Sequence, residues 1–438
     1  VTDDSVPPPP GRLARRLNLG DAVAIGLAAM VGAGVFAVWA PAAQAAGAGL
    51  LIGLAVAAFV AFANAGSTAQ LAVQHPESGG AYRYGRERLG PWPGFLAGWS
   101  FVIGKTASCA AMALTAAAYL VPADWQRPVA IAAVIVLVGV NLLGVTRTAR
   151  VGAALVTAVI VVLGIVVVAG LVAASGGGSA ALGTTTGDSP VAPYTAGIPE
   201  ILYGILQSAG LLFFAFAGYA RIATLGEEVR HPARTIPRAI GLAFLIVVVI
   251  YAAVGSAALV TLGPSLLAAS VAPLVEVVSA AGWGWAEPVV RIAAGVAALG
   301  SLLVLIAGIA RTALAMARDD ELPRRLASVH PRSQVPHVAE IAAGAAIIVL
   351  VLVADLRGAI GFSSFGVLLY YFVANSAAVT QPQAERRVPR WLSIAGAVGC
   401  LVLVVTLPPQ SIVAGVIVLA AGAVYRLVNI AVHRRLTS

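Results

Sequence analysis

Charge is scarce in this chain. Charged residues make up 10% of its 438 residues, against 60% hydrophobic, too little polar surface to solvate a globular domain. Lysine is nearly missing: of 27 basic residues only Lys105 is a lysine. The two cysteines, Cys109 and Cys400, both fall inside apolar runs. They read as small buried apolar residues and exclude a disulfide framework or a thiolate metal pair. The five histidines, at positions 75, 231, 330, 337 and 433, lack metal-site spacing and none sits mid-membrane. No metal and no cofactor is expected. GxSxG, HExxH and DxD-type clusters are missing, as is any deep pair of carboxylates, which excludes a membrane enzyme. The lack of a P-loop excludes an ATP-driven pump on this chain.

Long apolar runs are what the chain has instead. Mean hydropathy is +0.95, and runs such as IAAVIVLVGV and VTAVIVVLGIVVVAG lack the alternation of a membrane β-barrel. An all-α polytopic membrane protein is predicted. At about 20 residues per span, helices fall near 20–45, 48–73, 91–121, 128–145, 150–174, 200–225, 236–262, 286–317, 337–354, 358–380, 389–407 and 409–432, twelve in all. Alternating these spans puts 21 arginines on one face and only Arg127, Arg291 and Arg357 on the other. That split places both termini in the cytoplasm, in a cell inner membrane. It also accounts for the net charge of +9 without nucleic acid as a partner. Residues 1–18 read as a Pro-rich disordered cytoplasmic tail. No cleavable leader is expected, because the first apolar run is too long. Residues 175–199 read as an external flexible loop, and APLVEVVSAAG as a short surface helix. Tyr82 and Tyr84 in HPESGGAYRY read as membrane-boundary anchors.

The first span contains Gly32-Ala33-Gly34. Each glycine disfavours a helix interior by roughly 1 kcal/mol relative to alanine. Backbone broken at membrane depth survives only where it lines a cavity or is buried in protein. The sixth span repeats the pattern at Phe216-Ala217-Gly218. Close helix packing explains one such glycine. Two breaks five spans apart point to a secondary transporter built from two inverted five-helix repeats, 19–174 and 200–380, with 381–438 holding two further helices and the C-terminus. Amide N–H groups at a half-helix N-terminus suit a carboxylate. Exposed carbonyls at the other break suit an ammonium, so the pair fits a zwitterion.

Four motifs add a resemblance. GAGVF in helix 1, FFAFAG followed by GEEV in helix 6, HPESGGAYRY after helix 2 and ARTALAMARDDELP at the end of helix 8 together resemble the amino acid–polyamine–organocation superfamily. Within it, they look most like prokaryotic permeases related to the cationic amino acid transporters. The resemblance covers helices 1 to 10 in order and spacing, and helices 11 and 12 more weakly. It implies the leucine-transporter fold and alternating access. It implies that the N–H groups of Ala33 and Gly34, beside Gly32, hold a substrate carboxylate. The carbonyls of Met30, Phe214, Ala215 and Ala217, next to Gly218, would hold the ammonium, with Tyr219 covering the site.

The chain departs from the family at three places. Gly218-Tyr219-Ala220-Arg221 stands where many members have an aspartate after the aromatic residue. Gly104-Lys105 stands where members with cationic substrates carry an acid in helix 3. Val159 stands near the position of a helix 5 lysine found in related permeases. Lys105 lies about 14 residues, roughly 21 Å, into its helix, and intramembrane charges are functional candidates. It either supplies the missing ammonium and carries a coupling proton, or is a buried lysine satisfied by carbonyls at a break. Arg221 is expected to meet helix-end carbonyls or Glu227 and Glu228, making these gate candidates. Arg311 is expected to snorkel to the cytoplasmic surface. With no deep acid and two cations, the expected function is proton-coupled import of a neutral amino acid. An exchanger, a cationic amino acid or polyamine transporter, and a non-transporting sensor are the alternatives.

Overall fold

A computed structural model describes residues 17–74, 80–144, 149–175, 197–219, 222 and 229–437. The first span is three pieces: α1 (Leu19–Met30), α2 (Gly34–Ala37) and α3 (Trp39–Ala46). Then follow α4 (Leu50–Gln74), α5 (Ala81–Leu89), α6 (Pro91–Leu120), α7 (Ala123–Leu142), α8 (Ala149–Ser175) and α9 (Ile198–Phe216). The second half holds α10 (Pro232–Ala269), α11 (Pro273–Ala280), α12 (Glu287–Arg318), α13 (His337–Val353), α14 (Leu356–Val379), α15 (Arg390–Thr406) and α16 (Pro409–Thr437). Among the described residues, ten helical stretches are long and apolar enough to cross a membrane, and α13 and α15 are apolar helices of 17 residues each. No strand occurs among them beyond an isolated bridge between Leu17 and Val229.

Local chemistry sets the ends. Asn18 and Asp21 form a reciprocal capping box that starts α1. Asp355 caps α14 by accepting from the Gly358 amide at 2.8 Å. Gly263, at φ 71°, followed by Pro264, kinks α10 where the sequence ends its seventh span. The expected short surface helix forms as α11, with Leu274, Val275, Val277 and Val278 buried and Glu276 outward.

α6 is the central pillar, packed chiefly on α14 and α12. Small residues allow the α6–α14 approach: a Cβ on Gly366 would lie 2.6 Å from the Ser100 carbonyl oxygen, and one on Gly104 3.0 Å from the Val367 nitrogen. The Oγ atoms of Ser108 and Ser363 meet across this crossing at 2.6 Å. α1 packs on α10 and α8, and α3 on α9 and α10.

Arg86 and Arg426 converge on Glu321 at one end of the bundle, at 2.7 and 2.9 Å. At the other end Arg291 donates to the Tyr119 carbonyl and Arg127 to the Leu352 carbonyl. Arg311 is exposed on α12. One sequence expectation is overturned here. Tyr82 and Tyr84 do not anchor a boundary; they lie on α5 and are fully buried. Tyr82 donates to Asp319 at 2.6 Å. Burial, with the Asp319 carboxylate beside it, pushes the Tyr82 phenol upward and keeps it a donor.

Candidate functional site

The first break follows α1. Val31 donates to the Leu27 carbonyl but leaves the helix at φ −82°, ψ 54°. Helix resumes at Gly34, with Ala37 donating to Ala33 at 3.1 Å, and passes through helical Val38 into α3. The second break follows α9, where Ala217 turns at φ −65°, ψ 2° and its amide reaches the Phe214 carbonyl at 3.4 Å.

Tertiary structure brings the two breaks together, backbone against backbone. A Cβ on Gly34 would lie 2.6 Å from the Cα of Ala215. One on Gly218 would run into the Ala29 carbonyl and lie 2.8 Å from the Met30 nitrogen. Gly32 faces the Ser301 hydroxyl of α12 in the same way. Only residues without a side chain permit these approaches. Ala33 packs with Ala116 of α6 and Ala298 of α12.

The carbonyls that the breaks release find internal donors. The Tyr251 hydroxyl of α10 points at the Met30 carbonyl, 2.7 Å away, and at the Ala215 carbonyl, 3.0 Å away. Lys105 Nζ of α6 donates to the Ala217 carbonyl at 3.3 Å, and the Tyr371 hydroxyl of α14 reaches the same oxygen at 3.4 Å. Lys105 is 8% exposed and forms no ion pair among the described residues. Tyr219 is fully buried and stacks on Tyr371 with centroids 5.0 Å apart. One turn on, Asn375 Nδ2 donates to Asn64 Oδ1 at 2.6 Å and to the Tyr371 carbonyl at 2.9 Å. The half-helix beyond the first break is held by Tyr119, whose hydroxyl donates to the Phe36 carbonyl at 3.0 Å, and by Trp39 Nε1 on the Val35 carbonyl.

Met30, Gly32, Ala33, Gly34, Phe214, Ala215, Ala217, Gly218, Tyr219 and Lys105 are thus gathered in one place. Arg221, Glu227 and Glu228 lie outside the described residues. Sequence reasoning missed Tyr251, Tyr371 and Ser301. A tyrosine deep in an apolar run, as in VVVIYAAVG or GVLLYYFVANS, is the available signal, since its buried hydroxyl needs a partner. A mostly apolar cavity of about 280 Å³ lies between α6, α14 and α16, lined by Leu96, Ser100, Leu369, Phe372 and Leu419 among others. None of its lining residues belongs to either break. No group of three or more metal-ligating side chains occurs among the described residues.

Residues 17–432 match a family model described as amino acid permease. An uncharacterized transporter of Mycobacterium tuberculosis is 54% identical over 413 residues, 94% of this chain and 91% of that protein. The chloroplastic cationic amino acid transporter 7 of Arabidopsis thaliana is 27% identical over 83% of this chain and 65% of its own length. A branched-chain amino acid permease of Bacillus subtilis is 27% identical over 75% of this chain and 72% of its own.

Proposed function

The chain belongs to the amino acid permease family, and from that premise we propose that it carries an amino acid across the membrane by alternating access, as a secondary active transporter. Its family and its transporter-named relatives mark it as a transporter rather than an enzyme. The observation that carries the reading is the meeting of the two breaks at Gly34–Ala215 and Gly218–Ala29. Irregular backbone at membrane depth is the hallmark of a midplane site in transporters built from repeats. We read 19–174 and 200–380 as the two repeats, with the arginine-rich face and both termini cytoplasmic.

In this reading the substrate carboxylate docks on the N–H groups of Ala33 and Gly34, where the helix dipole favours negative charge. Its ammonium is held by carbonyls of the second break. Among the described residues, Lys105 is the charged side chain that touches the breaks, and no acid pairs with it there to offset a second cation. A substrate with an uncharged side chain fits that environment, and one with a cationic side chain does not. Two relatives are named for other preferences, one for cationic and one for branched-chain amino acids; the second is compatible with an apolar side chain here. Lys105 is also the group we assign to proton coupling, because a desolvated lysine exchanges its proton more readily than an arginine.

Uptake into proteoliposomes tests the proposal. Saturable uptake of labelled leucine or alanine, driven by an imposed proton gradient, is expected. Saturable uptake of arginine with none of alanine or leucine overturns the substrate reading. Amino acid binding, seen as a raised melting temperature, with no uptake of any amino acid would make the chain a sensor.

A further inference from the structure

We infer that Lys105 is an internal stand-in for the ammonium of the substrate: it holds the Ala217 carbonyl and must leave that oxygen when the ammonium of an amino acid takes it. The inference rests on the proposed amino acid site and specifies how that site is filled. A carbonyl oxygen has two lone pairs. At Ala217 one is taken by Lys105 Nζ and the other by the Tyr371 hydroxyl. Three other carbonyls at the breaks each have one donor among the described residues. Met30 and Ala215 share the Tyr251 hydroxyl, and Phe214 accepts the Ala217 amide. Of these oxygens Ala217 is the one with both lone pairs taken, so an ammonium that docks there must displace a donor.

Lys105 is the donor to be displaced. Its ammonium has three donors with one acceptor, at 3.3 Å, found for it among the described residues. No ion pair holds it in place there. Two ammonium groups on one oxygen repel, and Lys105 has a flexible four-carbon stem on which to withdraw. Tyr371, by contrast, is fixed by its stack on Tyr219, an edge contact with Phe213 and another with Tyr370. The two donors keep the Ala217 carbonyl from standing bare, and substrate binding is coupled to movement of the chain's one lysine.

That lysine is also the probe. Isotope-labelled lysine gives a single side-chain resonance in this protein, because the sequence holds no other. The purified protein is first screened against the twenty amino acids by thermal shift, and the strongest binder is then added to the labelled protein. The Lys105 resonance is expected to move and to become accessible to a water-soluble paramagnetic quencher. In Lys105→Gln the same amino acid is expected to bind about tenfold more tightly, the worth of one hydrogen bond to a charged group no longer to be broken. An unmoved resonance under saturating amino acid overturns the inference. So does weaker binding by Lys105→Gln, or tight binding of isocaproate, which is leucine without its amino group, to wild type but not to Lys105→Gln. That last pair would make Lys105 a permanent anion anchor. If no amino acid binds, the proposed function fails separately. The resting contact is then read from Tyr371→Phe, which frees the other lone pair of Ala217. It moves the lysine resonance if Lys105 rests on that oxygen, and an unchanged resonance refutes the contact.

Discussion

Gly34 lies against Ala215 so closely that a Cβ on the glycine would sit 2.6 Å from the alanine Cα. The two residues belong to breaks 181 positions apart in the chain, and their contact brings two local helix defects together. Gly218 makes the reciprocal approach to Ala29 and Met30. Overpacking a closed contact costs about 1–3 kcal/mol, occasionally more. Gly34→Ala and Gly218→Ala are therefore expected to lower the melting temperature and abolish uptake. Gly308→Ala is the control: beyond the backbone of its own helix α12 and its chain neighbours, no atom of the described residues lies within 4 Å of its Cβ position. It is expected to match or slightly exceed wild-type stability, because alanine is the better helix former.

Tyr251→Phe removes the hydroxyl between the Met30 and Ala215 carbonyls with little change in shape. Two buried acceptors lose their donor, at a cost of roughly 1–3 kcal/mol. Both breaks are expected to loosen together, seen as faster hydrogen exchange in peptides covering 27–38 and 211–219. Faster exchange at only one break would mean that the hydroxyl does not bridge them.

Arg357 of α14 donates to Gln44 of α3 at 3.2 Å and to Gln207 of α9 at 3.1 Å. It thus clamps both half-helices at one end of the bundle. Arg357→Ala is expected to lower stability by about 1–3 kcal/mol. Arg357→Lys is expected to rescue little, since a point charge cannot serve two amide oxygens as a planar fork does. Thermal melting of the three proteins checks the order. If this end opens to admit substrate, Gln207→Glu, which turns one contact into an ion pair, slows uptake without abolishing binding.

Glu321 sits between Arg86 and Arg426, and the Arg426 guanidinium lies 4.8 Å from the Trp92 ring centroid and 4.6 Å from that of Phe95. Glu321 and Arg426 are both buried. Removing one partner of a buried pair leaves the other uncompensated, at about 3–5 kcal/mol. Glu321→Ala is expected to destabilise the protein by that order, measured by thermal melting. Glu321→Leu combined with Arg426→Met is expected to cost less than Glu321→Ala alone. Equal or larger loss in the double variant would contradict the buried-pair account.

The two helix breaks and the lone lysine were legible in the sequence. Glycines in an apolar run mark a break because they disfavour the helix there, and Lys105 stands out because charge in a membrane segment is unfavourable. Tyr82 and Tyr84 misled, because aromatic residues next to arginines look interfacial. Only tertiary packing buries them, α5 against α6 and α14 and Tyr82 also against Ala313 and Met316 of α12. Tyr251 and Tyr371 were not legible as site residues, because their partners are main-chain oxygens 221 and 154 residues away for Met30 and Ala217.

The sequence by itself determined where the chain is apolar, where its helices break and where its one lysine lies. These follow from residue chemistry acting on its own segment. Tertiary structure decided which released carbonyls find donors, and which donors those are. Every residue carries the same carbonyl, so its own side chain does not say whether a partner reaches it. Folding brought Tyr251, Tyr371 and Lys105 to those oxygens, where local sequence alone would have left them without a side-chain donor.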